Sequence, residues 1–512
     1  MLITAILLIA VVLILASVLS VSDNLIQIEA KKQGIDTRKT NMSLFPRVNE
    51  LFGKSAPSFA PPSKFHNLSK GHDIKLTGGA EGPVMKGLST RYAIKPTDYR
   101  GIAPIPKMLV AEGDEVKAGD EVFFDKNNPD IKFVAPVSGE IVEVRRGAKR
   151  AITHIVILAD KEQSYRQYDI LNVDTASRED IVAYLKMSGG WTLLEQRPFN
   201  VMADPTVIPD NIFISTFDTG PLAHNSSVTL DGRTADVQEA VDTLSRLTSG
   251  KVYLGLDGRG TPPHPALTSV DGAELHYFRG KHPAGNVGVQ IHHTAPIGKG
   301  TVWTLTLDNL LTLGRLMNAG VYDTTRIVAL AGAQFDEPSL VKTKAGASIA
   351  ELTKGNISSE GKTRLIQGDV LSGKTAGEDD FIGANTNLLT SIKEGDEHEL
   401  FGWLLPIKPR PSISKTMPGF LLPNLKYEAN TNTHGEKRAF VVTGQYEKIL
   451  PMDIYPQQLM KAIMAGDIER MEGLGINELS EEDIALAEFA CTSKMPLQEI
   501  LRDGLDMMRE QG

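Results

Sequence analysis

The sequence predicts a multi-domain α/β chain behind a single membrane-spanning helix. Three observations predict it. An apolar run from Leu2 to Val21 contains no charge, proline or glycine. Behind it, a chain of 512 residues at 41% hydrophobic content can build three or four cores of roughly 150 residues each. In the middle of the chain, β-rich runs alternate with a helical period, the pattern of a parallel sheet with crossover helices.

Composition narrows the function classes. Asp and Glu total 63 against 54 Lys and Arg, a formal charge of −9. Such a surface repels phosphate backbones, so nucleic-acid binding is not expected. Cys491 is the one cysteine. A single thiol excludes an internal disulfide, the set of thiolates an iron–sulfur cubane needs, and a cysteine-rich zinc site. It is expected as a small buried apolar residue.

A helix from Leu2 to Val21 would be about 30 Å long, matching a bilayer's hydrocarbon core. No Lys or Arg precedes the run, whereas Lys31, Lys32, Arg38 and Lys39 follow it. A secretory signal has the opposite order, with its basic region first. The positive-inside rule then leaves the N-terminus outside the inner membrane and the bulk of the chain in the cytoplasm. Residues 22–62 are expected as a continuation of that helix to about Gly34, then a linker carrying Pro46, Pro57, Pro61 and Pro62.

Residues 63–161 read as short strands split by glycine turns. Met108 to Val122 and Phe133 to Val144 alternate apolar residues with Gly-Asp or Ser-Gly turns. The pattern looks like a barrel-sandwich domain of the lipoyl/biotinyl type. Carrier domains of that type modify a hairpin lysine, and Lys126 stands in that neighbourhood. The loop from Lys126 to Pro136 is too long for such a hairpin, so an ordinary solvated lysine is expected.

Residues 162–320 read as a Rossmann-like α/β domain. Asn211 to Phe217 and Lys251 to Leu256 are strand-like. Between them Thr234 to Leu247 places Val237, Ala240, Val241, Leu244 and Leu247 on one helical face. The run Gly255-x-x-Gly258-x-Gly260 has the wrong order for a dinucleotide fingerprint, so a plain glycine-rich loop is expected. Within residues 321–449, Arg326 to Gly332 and Thr363 to Gly373 read as strands and Ala347 to Lys354 as a short helix. Residues 450–512 turn helical. Pro456 suits a first turn leading Gln457 to Met464. Ser480 suits an N-cap, with Glu481, Glu482 and Asp483 in the first turn as capping acids rather than a metal or catalytic cluster. Ile500, Leu501, Leu505 and Met508 face one side of the last helix.

The stretch from Gly280 to His293 holds Gly280, Pro283, Gly285 and Gly288 among His282, His292 and His293. On a strand, His292 and His293 would point to opposite faces, which argues against a shared metal. This stretch resembles a block in the A subunit of the bacterial sodium-translocating NADH:quinone reductases. Arg364 to Gly373 and Gly444 to Ile454 resemble two further blocks of that family, in the right order. The resemblance runs from about Ser63 to the C-terminus.

What the resemblance implies is concrete. Residues 321–449 would be a β-grasp domain of the soluble-ligand-binding type. The chain would be a peripheral cytoplasmic member of a complex that oxidises NADH, reduces quinone to quinol and exports sodium. Flavins and iron–sulfur centres would sit in its partners, chiefly reached through the membrane-embedded B subunit, and this chain would bind none. A more remote resemblance links it to the NADH-binding flavoprotein of respiratory complex I and to the C subunit of Rnf complexes. Where those carry a glycine-rich flavin and nucleotide loop, this chain has Gly189 to Phe199, with Trp191 and Arg197-Pro198-Phe199 in place of most glycines. Side chains would then fill the space where backbone amides meet phosphates. His282, Pro283, Gly285, His292 and His293 are candidates for a quinone contact or a protein–protein interface, the imidazoles either bonding a quinone oxygen or anchoring the loop between domains. Two other readings are an anchored ligand-binding module of the cell envelope and a carrier protein modified at Lys126.

Overall fold

The computed structural model describes residues 11, 14–15, 17–23, 25–26, 29, 55–359, 361–397, 409–413, 421–422 and 424–511. It divides into two compact units, Met1–Pro62 and Ser63–Gly512. In the first, the described residues from Val11 to Val21 are helical and exposed. Among the described residues no helix is long and apolar enough to cross a membrane. The expected span Leu2 to Val21, the basic residues after it and most of the linker lie largely outside the described residues.

Among the described residues, the second unit contains four sheets. Two of them form a sandwich. One has the order Arg91–Ile94, Ile152–Ala159, Gly139–Arg146, Glu115–Val116, and the other Lys107–Met108, Glu121–Phe124, Lys132–Val134. Phe123 and Phe133 stack at 4.4 Å between centroids inside it, each almost fully buried. This is the barrel-sandwich the glycine turns predicted. Gly139 shows why one of those glycines is needed: its φ is +150°, and a Cβ there would lie 2.0 Å from the Leu158 carbonyl oxygen.

The α/β sheet has seven strands in the order Phe65–Asn67, Ala273–Arg279, Val252–Asp257, Asn211–Ser215, Val302–Thr306, Glu195–Arg197, Val201–Met202. The first five run parallel, Glu195–Arg197 runs antiparallel to them, and Val201–Met202 pairs antiparallel with Glu195–Arg197. The helix Thr234–Leu247 crosses between Asn211–Ser215 and Val252–Asp257 and buries the five apolar residues its spacing placed on one face. The chain then returns across the sheet to Val302–Thr306, so strand order reverses beside Asn211–Ser215. In open parallel sheets, that reversal is where ligands usually bind, outside the carboxyl ends of the strands.

The fourth sheet is mixed: Lys374–Ala376, Thr363–Gln367, Leu388–Lys393, Thr325–Ala331, Ser339–Lys344, Val84–Lys86. Residues 63–90, assigned from sequence to the start of the barrel, thus supply an edge strand to each of the other two domains. The C-terminal helices Pro456–Met464, Ile468–Gly473, Glu481–Ala490 and Leu497–Gln511 gather a core that includes Leu459, Met460, Leu501 and Leu505. Ile74, Leu76 and Val289 belong to the same core, which ties these helices to the α/β domain.

Candidate functional site

The glycine and histidine block leaves the sheet at Arg279 and crosses its carboxyl end. The peptide His282–Pro283 is cis, and a helix follows from Val287–Thr294. His292 and His293 therefore sit on a helix, which corrects the strand expected from sequence. The helix forms because its N-terminus is met by groups distant in sequence.

Those groups come from the C-terminal helices. Asn286 Nδ2 donates to the Glu482 carbonyl at 3.0 Å. Gly288 lies against the Asp483 carboxylate so closely that a Cβ would stand 2.3 Å from Asp483 Oδ2 and 2.6 Å from Arg197 Nη1. The positive end of the helix thus faces a carboxylate of this same chain. Asp483 also completes a capping box, accepting from Ser480 N–H at 2.9 Å. The capping role read from sequence is present, and Asp483 has a second one that spacing cannot reveal.

Arg197 supplies the countercharge. Its Nη1 donates to Asp483 Oδ2 at 2.9 Å and its Nη2 to Glu482 Oε1 at 2.8 Å. The Arg197 side chain is 3% exposed and that of Asp483 0%. Burial alone would lower the guanidinium's pKa, but Asp483 and Glu482 more than offset it. Glu481 extends the network to Arg100 at 2.7 Å. Trp191 and Trp303 meet edge to face at 5.3 Å, fully buried, and Trp191 Nε1 donates to the Ala203 carbonyl at 2.8 Å. The Gly189 to Phe199 segment is therefore packed with side chains.

The imidazoles of His292 and His293 hold backbone, and that of His282 meets a hydroxyl through Nδ1 while its buried Nε2 has no hydrogen-bond partner among the described residues. Thr219 Oγ1 accepts from Gly285 N–H at 2.9 Å and lies 3.2 Å from His282 Nδ1. The His282 N–H donates to Asp73 Oδ1 at 2.9 Å. His292 Nε2 accepts from Asp453 N–H at 3.0 Å, which leaves Nδ1–H to donate to Glu478. His293 Nε2–H donates to the Pro451 carbonyl at 2.5 Å. Pro283 and Gly285 are buried in the same loop. Sequence reasoning missed His66 and His276, whose Nε2 and Nδ1 lie 2.9 Å apart at the sheet edge beside His293. Burial, then the neighbouring imidazoles of His276 and His293, pushes His66 down to about 3. No local motif marks that pair, because strand pairing across 210 residues brings it together.

The other singled-out residues have plain surroundings. Gly255 is required because a Cβ would stand 1.8 Å from Gln290 Oε1, and Gln290 Nε2 in turn bonds Ser215 Oγ at 2.9 Å. That glycine run serves side-chain packing. Lys126 is exposed on a turn held by Asp125, whose Oδ1 accepts from Ala103 and Asn127 N–H. Cys491 is buried and its Sγ accepts from the Tyr446 hydroxyl at 2.8 Å. Among the described residues no group of three or more His, Cys, Asp or Glu could hold a metal ion.

Comparison with known proteins agrees along the chain. The family model for the NqrA N-terminal barrel-sandwich hybrid domain matches residues 66–160, that for the NqrA second alpha/beta domain residues 176–322, and that for the NQRA C-terminal domain residues 327–378. The A subunit of the Na(+)-translocating NADH-quinone reductase of Serratia proteamaculans is 36% identical over 455 residues, covering 87% of this chain and 99% of that one. Its counterparts in Alcanivorax borkumensis and Shewanella frigidimarina are 36% and 37% identical with the same coverage. Among solved structures, an NAD+-reducing [NiFe]-hydrogenase in the air-oxidized state matches at 12% identity with a TM-score of 0.32, over 66% of this chain and 65% of that one, a likeness too slight to argue from. On the strength of the sequence relatives, this chain belongs to the NqrA family, the A subunits of the Na(+)-translocating NADH-quinone reductases.

Proposed function

We propose that this chain works on the cytoplasmic side of a sodium-exporting NADH:quinone reductase, serves its quinone-reducing end, and carries no flavin or iron–sulfur centre itself. One observation supports this reading above others. The N-terminus of the helix Val287–Thr294, where a nucleotide's phosphates could otherwise approach, receives Asp483 and Arg197 of the chain's own structure. A second anion there would meet a buried carboxylate. NADH, flavins and iron–sulfur centres then belong to partner proteins of the complex, and this chain acts by contact, chiefly with the membrane-embedded B subunit. The loop of His282, Pro283 and Gly285 and the helix bearing His292 and His293 fix the shape presented to quinone and partner, since the imidazoles of His292 and His293 and the Nδ1 of His282 are engaged within the chain. The run Leu2 to Val21, followed by Lys31, Lys32, Arg38 and Lys39, supplies a single-pass anchor with the N-terminus outside.

The test is a complex purified by gentle extraction with and without this chain. NADH oxidation by a soluble artificial acceptor should persist without it, and NADH-driven quinone reduction should be lost. Quinone reduction at the full rate in its absence would overturn the reading, as would recovery of the native chain with no flavin-bearing membrane partner.

A further inference from the structure

A cavity of about 890 Å³ lies between the mixed sheet and the C-terminal helices. Its size falls within the roughly 300–1,000 Å³ of small-molecule sites. Two of the sequence blocks singled out above meet on its wall: Arg364 to Gly373 contributes Ile366 and Leu371, and Gly444 to Ile454 contributes Lys448 and Ile449. Phe489 and Met495 close it from the helical side. The wall is thus aliphatic and aromatic where it meets both cores.

The charges around it are unequal. Arg364 is held by Glu394 through two bonds of 2.7 and 2.8 Å, and Arg410 lies against His434. Among the described residues, neither Lys448 nor Lys494 has a carboxylate within salt-bridge distance. The acids on the wall are Glu428 and Glu488, and Glu488 accepts from Gln498 N–H at 2.8 Å. Lys448 is exposed and Lys494 half-buried. Lys494 keeps a left-handed backbone, φ +54°, a conformation costing about 1–2 kcal/mol outside glycine. Such strain persists where the surroundings impose it, and ligand clamps are one such setting.

We propose that this cavity binds an amphipathic anion, its alkyl chain among Ile366, Leu371, Phe489 and Met495 and its head paired with Lys448 and Lys494. The two ammoniums favour a charged head over a neutral ring, and Ile366, Leu371, Phe489 and Met495 favour an alkyl chain beside it, with Asn430 to Thr433 lining another part of the wall. A free fatty acid and an anionic phospholipid share this chemistry. The inference concerns a different face of the chain from the Asp483 crevice and does not depend on the proposed role in quinone reduction.

The full chain in zwitterionic nanodiscs would be photolysed with diazirine-bearing palmitate or with phosphatidylglycerol carrying the same acyl label, and labelled peptides mapped by mass spectrometry. Label in Ile366–Gly373 or Phe489–Met495 is expected from one of the two probes, and the one that labels names the source. Lys448→Glu with Lys494→Glu should cut it about tenfold. Leu371→Trp should weaken it severalfold by narrowing the apolar wall, and Thr375→Trp, on an exposed strand residue of the same wall, repeats the test should the first variant unfold. Lys126→Glu, on the barrel, should leave it unchanged. No label on these wall peptides, label indifferent to the lysine pair, or equal label from a neutral quinone-type diazirine would each overturn the proposal.

Discussion

Two crevices in this molecule sit beside sheets and have opposite contents. At the N-terminus of the helix Val287–Thr294, Arg197 and Asp483 leave no room, and a single added methyl at Gly288 would collide with two charged groups. Beside the mixed sheet, about 890 Å³ stays open between Ile366, Leu371 and Phe489. The difference teaches that a helix N-terminus suited to an anion has become a joint. It locks the C-terminal helices to the α/β domain, and the open space has moved to the other side of those helices.

Breaking the joint should have the largest effect. Arg197→Ala leaves the fully buried Asp483 without its countercharge and should lower the unfolding free energy by about 3–5 kcal/mol, read by urea unfolding followed with circular dichroism. A loss below about 1 kcal/mol would mean the pair is not what holds the helices. Joining Arg197→Met with Asp483→Leu should recover part of that loss, because the apolar pair avoids the desolvation of two charges while the Ser480 capping bond is given up. Gly288→Ala should cost about 1–3 kcal/mol by overpacking against Asp483, in the same measurement.

A smaller effect should appear with pH at a third contact, between barrel and mixed sheet. Asp380 accepts from His154 at 3.1 Å and lies 3.4 Å from Lys95. Burial raises its carboxyl pKa, but the His154 hydrogen bond and the Lys95 charge outweigh burial and hold it at about 2. The folded value lies below the ordinary 3.8, so this contribution is complete above about pH 4 and is lost as pH falls toward 2. With the side chain 25% exposed, the loss should be on the order of 1 kcal/mol. Asp380→Asn should remove that part of the acid dependence, and an unchanged acid profile would contradict the assignment. The least effect is expected in the open cavity: Leu371→Trp should change stability by about 1 kcal/mol or less, since the added ring has space. A cost as large as that of Gly288→Ala would show the two crevices to be alike.

Local patterns made much of the fold legible. The helix Thr234–Leu247 formed with the limits its apolar spacing gave, and Ser480 became the capping residue its hydroxyl and the acid three positions on suggested. The glycine turns foretold a barrel-sandwich because positive φ leaves few other residues. What stayed hidden depended on partners far along the chain. Nothing near Arg197 announces Glu482 and Asp483, 285 and 286 residues away. His292 and His293 were read on a strand because the signal that makes the helix is the carboxylate waiting at its N-terminus. The edge strands Phe65–Asn67 and Val84–Lys86 are too short to carry a period of their own and take their sheets from tertiary pairing.

The claim that the N-terminus of the helix Val287–Thr294 is closed by the chain itself is tested most directly by equilibrium dialysis of the purified full chain against FMN and, separately, NADH. The account predicts that neither is retained at a stoichiometric level, by the native chain or by the Arg197→Met, Asp483→Leu pair that keeps the crevice filled. One equivalent of either held by the native chain, and released when Gly288 is enlarged, would contradict it.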